Sequence, residues 1–318
     1  VTGERVLIAL GGNAMTGPDG SAGPEAQRAA VEEAMEQVAG LVAAGLRVAL
    51  THGNGPQVGN LLIKNQLAAA VVPPVPLDWC VAQTQGSIGV LILDALERAL
   101  AARGLRETRV AALVTRTLVD PGDPAFADPA KPVGRYYGAA EARRFMAGGQ
   151  TWREYGSRGW RRVVASPEPR EILDAPAVRA LLGAGFVVVA AGGGGVPVAR
   201  GPGGALRGVE AVIDKDLAAA LLAREVGAST LVIATDVEHA VVGFGTADAR
   251  PLGRTSPGEI RGFREHFGPG SMGPKAEAAA RFAEGGGRAV ITALRRLGEA
   301  VHGQVGTIVE GGSYARSG

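Results

Sequence analysis

Short runs of consecutive apolar residues alternate along this chain with longer stretches in which apolar side chains recur every three or four positions. "RVLIAL" (Arg5–Leu10) is continuously apolar after its arginine and stops at Gly11 and Gly12, the pattern of a strand buried on both faces and followed by a sharp turn. Val31, Met35, Val38, Leu41 and Val42 then share one helical face, with Gly45 where a C-terminal cap belongs. "RVALTHG" predicts a second strand ending at His52 and Gly53, and "PQVGNLLIKNQLAAA" a helix opened by proline. A long helix is expected over Asp78–Ala102, and "TRVAALVTRTLV", rich in β-branched residues, reads as one extended strand. From Asp120 to Pro169 periodicity lapses among Pro, Gly, Tyr, Trp and Arg, which predicts an irregular insertion or small subdomain. "FVVVAAGGGGVPV", "STLVIATDV", "RAVITAL" and "GTIVE" supply further strands, separated by helices after Lys215 and Lys275. Such alternation predicts an α/β protein with a mostly parallel central sheet, a class that binds ligands at the carboxyl ends of its strands.

Composition narrows the class. The 318 residues leave room for one large core or two adjoining domains, and 46% hydrophobic with 20% charged residues describes a globular chain. A net charge of +2, with the 33 basic residues dispersed, argues against a nucleic-acid partner. One cysteine cannot form an intramolecular disulfide, so a reducing cytoplasm is the expected location, and no uninterrupted apolar run suggests a membrane span.

Candidate chemistry gathers at the turns. "LGGNA", "THGNGPQ", "AGGGGVP" and "TDVEHA" each follow an apolar strand and would open on one edge of a parallel sheet. Glycine lets backbone amides approach an anion closely, so converging turns of this kind point to a phosphate or carboxylate site. Two standard nucleotide motifs fail: Pro274 separates Gly273 from Lys275 where a P-loop needs the pair adjacent, and "GGGGVPV" runs into "ARGPGG" instead of a helix. Lys215 and Lys275 each stand near the start of an Ala-rich helix, against the dipole preference of roughly 0.3–1 kcal/mol. A phosphoryl group would offset both penalties, since an ammonium ~4 Å away contributes on the order of 4 kcal/mol at an effective dielectric near 20. Fixed cations and amides are what phosphoryl transfer requires. Asp214 and Asp216 are candidates to cap the helix, and Asp214 also to hold the lysine heads; the alternative is a solvated charge cluster with an N-cap aspartate. Cys80 reads as a small buried residue, His52 as a turn ligand, Trp152 and Trp160 as packing groups, and the remaining histidines lack metal-ligand spacing.

In order along nearly the whole chain, "ALGGNAM", "THGNGPQVGN", "PLDWCVAQTQGSIG", "DPAFADPAKPVG", "GWRRVVASPEP", "AAGGGGVPV", "GVEAVIDKDLA", "TDVEHA" and "GSMGPKAEAA" resemble the blocks of the carbamate kinases, of the amino acid kinase family. The resemblance implies a three-layer αβα sandwich with a small protruding subdomain. It also implies reversible phosphoryl transfer between ATP and carbamate, giving ADP and carbamoyl phosphate, with Mg²⁺ accompanying the nucleotide, no protein-borne metal site, and a homodimer. Residues 1–208 would form the acceptor lobe, including a lid-like subdomain at about 120–169, and 209–318 the nucleotide lobe. On this resemblance Gly11, Gly12 and Asn13 cradle the phosphoryl group, Gly53 and Asn54 lie at the carbamate, and Lys215 stabilises the group in flight. Asp214 would orient the lysines, Lys131 would reach in from the insertion, Lys275 would contact the nucleotide phosphates, Asp236 would lie near the ribose and adenine, and Val237 and Met272 would also bind the nucleotide. An enzyme of this fold acting on another small carboxylate, and a non-catalytic sensor of nucleotide or carbamoyl phosphate, are the competing readings.

Overall fold

The apolar runs become strands in register with one another. In the computed structural model, which describes residues 3–12, 23–267 and 272–311, the chain begins β1 (Arg5–Leu10), α1 (Pro24–Ala43), β2 (Arg47–His52), α2 (Gly55–Ala68) and α3 (Leu77–Ala102). Next come β3 (Val110–Ala112), β4 (Arg116–Leu118), β5 (Lys131–Tyr137), α4 (Ala139–Ala147), β6 (Trp152–Glu154), β7 (Trp160–Val164), β8 (Glu171–Ile172), α5 (Ala175–Gly183) and β9 (Val187–Val189). The remainder is β10 (Val196–Arg200), β11 (Leu206–Gly208), α6 (Lys215–Glu225), β12 (Thr230–Thr235), β13 (Val241–Val242), β14 (Arg250–Pro251), β15 (Arg254–Thr255), α7 (Pro257–Gly262), α8 (Met272–Glu284), β16 (Arg288–Ala293), α9 (Leu297–Ala300) and β17 (Thr307–Glu310).

The large sheet has the order β15-β17-β16-β12-β1-β2-β9-β3, and its neighbours are parallel except for β16 with β17. Successive side chains of a strand point to opposite faces, and β1 shows the consequence. Leu7 and Ala9 join one core with residues of α5, α6 and α8, while Val6, Ile8 and Leu10 join another with α1, α3 and α9. A strand buried on both faces therefore glues two helical layers together, each large aliphatic side chain contributing about 1.5–3 kcal/mol. This is the three-layer αβα sandwich expected from the resemblance.

One expectation needs correction. The single strand expected over Thr108–Val119 is two: β3 pairs with β9 in the large sheet, whereas β4 pairs with β10 and β8 in a separate four-stranded sheet. The break falls at Thr115, whose amide donates at 2.8 Å to Gln85 Oε1 of α3 and whose hydroxyl accepts the Ala191 amide at 2.7 Å, so its amide is taken out of the ladder. The segment 120–169, expected as an irregular insertion or small subdomain, holds the antiparallel sheet β5-β7-β6 and α4. Its small core is aromatic: Trp152 stacks on Phe145 at 5.3 Å and meets Tyr137 edge-on at 5.3 Å. Three- to seven-residue strands around such a cluster leave little periodicity to detect.

Candidate active site

The glycine turns meet at the carboxyl edge of β1, β2 and β12. Gly11 donates its amide to the Ala234 carbonyl at 3.0 Å, and Gly53 donates to Leu10 at 3.0 Å, so the turns after all three strands are tied together. Gly53 lies so close that a Cβ there would stand 3.3 Å from Gly12 Cα and 3.6 Å from Lys215 Cδ. Lys215 thus reaches the "HGNG" turn from the other half of the chain. Asn13 lies outside the described residues, as do Gly270 and Ser271 before Met272.

Behind these turns a buried polar web fixes "HGNG". Asn54, at the start of α2 and 5% exposed, donates Nδ2 to the Thr84 hydroxyl of α3 at 2.9 Å. The "AGGGG" turn closes over it. Gly193 has φ +66°, and a Cβ there would fall 2.1 Å from Asn54 Nδ2, so only glycine fits both the left-handed backbone and the space. His52 is fully buried beside them. Its Nδ1 lies 3.0 Å from the Gly53 carbonyl, which can only accept, so that nitrogen carries the proton. Burial pushes the His52 pKa down to about 4, the Gly53 hydrogen bond opposes that, and the Lys215 charge adds to it. His52 is therefore a neutral turn ligand at neutral pH, in agreement with its reading from the sequence.

The lysines form one charge network. Asp214 is the N-cap of α6: its Oδ1 accepts from the amides of Asp216 at 3.0 Å and Leu217 at 3.3 Å, while Oδ2 takes Lys131 Nζ at 2.8 Å. Lys131 opens β5, so the protruding sheet delivers its first side chain to the head of α6. Asp216, 3% exposed, holds Lys215 Nζ at 2.5 Å with one oxygen and Lys275 Nζ at 3.1 Å with the other. The orienting role expected of Asp214 thus divides: Asp214 holds Lys131, and Asp216 holds Lys215 and Lys275. Asp216 is the site residue that sequence reasoning undervalued. Its one signal was a second carboxylate in the first turn of a helix otherwise lined with alanine.

Three ammonium groups against two carboxylates leave the cluster with one unbalanced positive charge. Burial alone would raise the Asp216 carboxyl, but Lys215 and Lys275 outweigh it and keep the group below its usual range, hence ionised. Lys215 is lowered, first by burial and also by the Lys275 charge, with Asp216 and Asp214 opposing. An arriving anion would relieve that strain. The dipole penalty at Lys215 is accordingly met in part by the protein's own Asp216, before any phosphate is bound.

Of the residues expected at the nucleotide, Asp236 and Val237 directly follow β12, beside the Ala234 carbonyl that receives Gly11, with Asp236 exposed and Thr235 Oγ1 donating to it at 3.0 Å. Met272 begins α8 and is half-buried against the core, one turn ahead of Lys275. Among the described residues no three His, Cys, Asp or Glu side chains gather into a metal cage. The donor set suits Mg²⁺ only as a companion of nucleotide phosphates, because Asp214 and Asp216 are both engaged by lysines. Cys80 is fully buried and burial raises its thiol pKa, which suits a packing role.

Comparison with known proteins agrees with this geometry. The sequence profile of the amino acid kinase family matches residues 4–293. Carbamate kinase 1 of Enterococcus faecium is 42% identical over 313 residues, 96% of this chain and 99% of that protein. The carbamate kinase of Thermococcus kodakarensis is 46% identical over 313 residues, with coverage of 96% and 99%. The crystal structure of carbamate kinase from Giardia lamblia bound to AMP-PNP superposes with a TM-score of 0.91 at 40% identity, covering 98% of this chain and 99% of that one. A chain with this profile match, this fold and these relatives along its length belongs to the amino acid kinase family, among the carbamate kinases.

Proposed function

We propose that this protein catalyses reversible phosphoryl transfer between ATP and carbamate, giving ADP and carbamoyl phosphate. The observation that carries the reading is the Lys131, Asp214, Lys215, Asp216, Lys275 network, buried at its centre, one positive charge in excess, and set against Gly53 of the "HGNG" turn. In the forward direction a carbamate oxygen attacks the γ-phosphorus, the bond to the β,γ-bridging oxygen breaks, and ADP leaves; the reverse step forms ATP. Gly11, Gly12 and Asn13 cradle the transferring group, and Gly53 and Asn54 face the acceptor. Lys215 follows the charge as it spreads over the phosphoryl oxygens, with Lys131 on the acceptor side and Lys275 and Met272 on the nucleotide side. Asp236 and Val237 serve the ribose and adenine. Mg²⁺, entering with the nucleotide, neutralises charge on the phosphates.

Residues 1–208 act as the acceptor lobe and 209–318 as the nucleotide lobe, with 120–169 as a lid whose opening would break the Lys131–Asp214 pair. A homodimer is supported by the half-buried edge strand β3 and the nearby exposed apolar residues Val114, 58% exposed, and Val90, 55% exposed. A cytoplasmic location agrees with the single cysteine, and no helix among the described residues is long and apolar enough to cross a membrane.

The test is coupled detection of ATP from carbamoyl phosphate, ADP and Mg²⁺, with acetyl phosphate as the competing acyl donor. Lys215→Met keeps much of the side chain's length and removes its charge. It is expected to lower turnover about 10²–10³-fold, the range for loss of one charge-stabilising donor. Near-normal ATP formation by that variant would remove Lys215 from its assigned role, and preference for acetyl phosphate would reassign the substrate.

A further inference from the structure

A cavity of about 980 Å³ opens between α2, α3 and the protruding three-stranded sheet. Among the described residues its wall carries four cations, Arg28 of α1, Lys64 of α2, Arg135 of β5 and Arg161 of β7, and no aspartate or glutamate. None of the four is paired with a carboxylate among the described residues, although Arg98, Arg103, Arg153 and Arg162 elsewhere each hold one. The arginines of the protruding sheet are set by their own neighbours. Arg161 Nε donates to the Gly134 carbonyl at 2.8 Å with its guanidinium 5.2 Å from the Tyr136 ring, and Arg135 lies 4.5 Å over the ring of Tyr137. Thr84 also lines this cavity, and its hydroxyl is the group that receives the Asn54 amide. The basic cavity therefore abuts the side of the site assigned to the acceptor, and neither Lys275 nor the turn after β12 is among the residues that line it.

A cleft lined by charges of one sign concentrates ions of the other and raises association rates by roughly 10- to 10³-fold, an effect that salt suppresses because the Debye length is only ~8 Å at physiological ionic strength. The volume far exceeds what carbamate itself would fill. Resting on the carbamate kinase reading, we propose that this cavity is the approach route of the phosphorylated acceptor, with Lys64 and Arg135 drawing the carbamoyl phosphate dianion toward Asn54. Both side chains are exposed, and neither belongs to the lysine network.

The test uses the full-length protein and compares wild type with Lys64→Gln/Arg135→Gln in ATP formation, at ionic strengths from low to about 0.5 M. The expected result is a roughly tenfold loss of kcat/KM for carbamoyl phosphate at low salt. That gap should close as salt rises, the kcat/KM for ADP should change less than twofold, and the charge-conserving Lys64→Arg/Arg135→Lys should restore the wild-type salt slope. A purely structural role would alter both substrates and would ignore salt. If wild type makes ATP from carbamoyl phosphate but the neutralised variant matches its kcat/KM and its salt slope, the route is refuted alone. If wild type makes no ATP from carbamoyl phosphate, the underlying function is refuted and the route with it.

Discussion

Replacing Asp216 by asparagine tests the centre of the site, because one buried carboxylate there serves two ammonium groups. Its oxygens stand 2.5 Å from Lys215 Nζ and 3.1 Å from Lys275 Nζ, and all three side chains are at most 15% exposed. Unit charges at ~3 Å attract by about 5 kcal/mol at an effective dielectric near 20, and desolvation of the partners cancels part of this. Removing the shared anion while leaving both cations buried is expected to cost about 3–5 kcal/mol, a large part of a typical domain stability. Turnover should fall as well, toward the loss expected for Lys215→Met, since Lys215, already lowered by burial, loses its counter-charge and is lowered further. The pH dependence has a definite sign. With the folded pKa of Lys215 below the unfolded value of 10.5, the unfolded chain binds more protons, so this group's contribution to stability rises as pH rises toward 10.5. In Asp216→Asn that rise should begin at lower pH.

Urea unfolding at neutral and alkaline pH measures the first effect and coupled ATP formation the second. Inorganic phosphate or ATP should stabilise the variant more than the wild type, because an anion would replace the missing carboxylate. Asp214→Asn is the control: asparagine caps a helix about as well as aspartate, so its stability loss should stay within about 1 kcal/mol while the Lys131 pair is lost. An Asp216→Asn protein within 1 kcal/mol of wild-type stability and within threefold of its turnover would refute this account of the network.

Other consequences can be measured with the same tools. His52→Asn should flatten the acid side of the stability profile. His52 has a folded pKa of about 4 against 6.5 unfolded, so stability falls as pH drops through that window, by about 3 kcal/mol in all, and a variant keeping the wild-type slope in acid urea titrations would exclude His52 as its source. Gly193→Ala adds a methyl 2.1 Å from Asn54 Nδ2 at φ +66°, and is expected to cost about 2 kcal/mol or more while raising the KM for carbamoyl phosphate. An unchanged melting temperature would show that this turn is less constrained than its geometry implies.

Much of the architecture could be read in one dimension because its causes are local. A continuously apolar run such as Val6–Leu10 can be satisfied only where both faces are covered, and Pro56 and Gly45 mark helix ends through their own backbone chemistry. Lys215 and Lys275 were visible because each opposes a helix dipole, a conflict contained within a few residues. The division of Thr108–Val119 was not visible, since the break is made by Gln85, 30 positions away in sequence. Asp216 likewise looks like any first-turn acid until α8 places Lys275 against it, a contact spanning 59 positions. The alternation of strands and helices that makes the central sheet, and the placing of glycine turns after its strands, were therefore legible in the sequence alone. Which carboxylate holds which lysine, and that three cations share two anions beside the turns, is set by long-range packing, since a charge's partner depends on distance in space and on the water excluded between them.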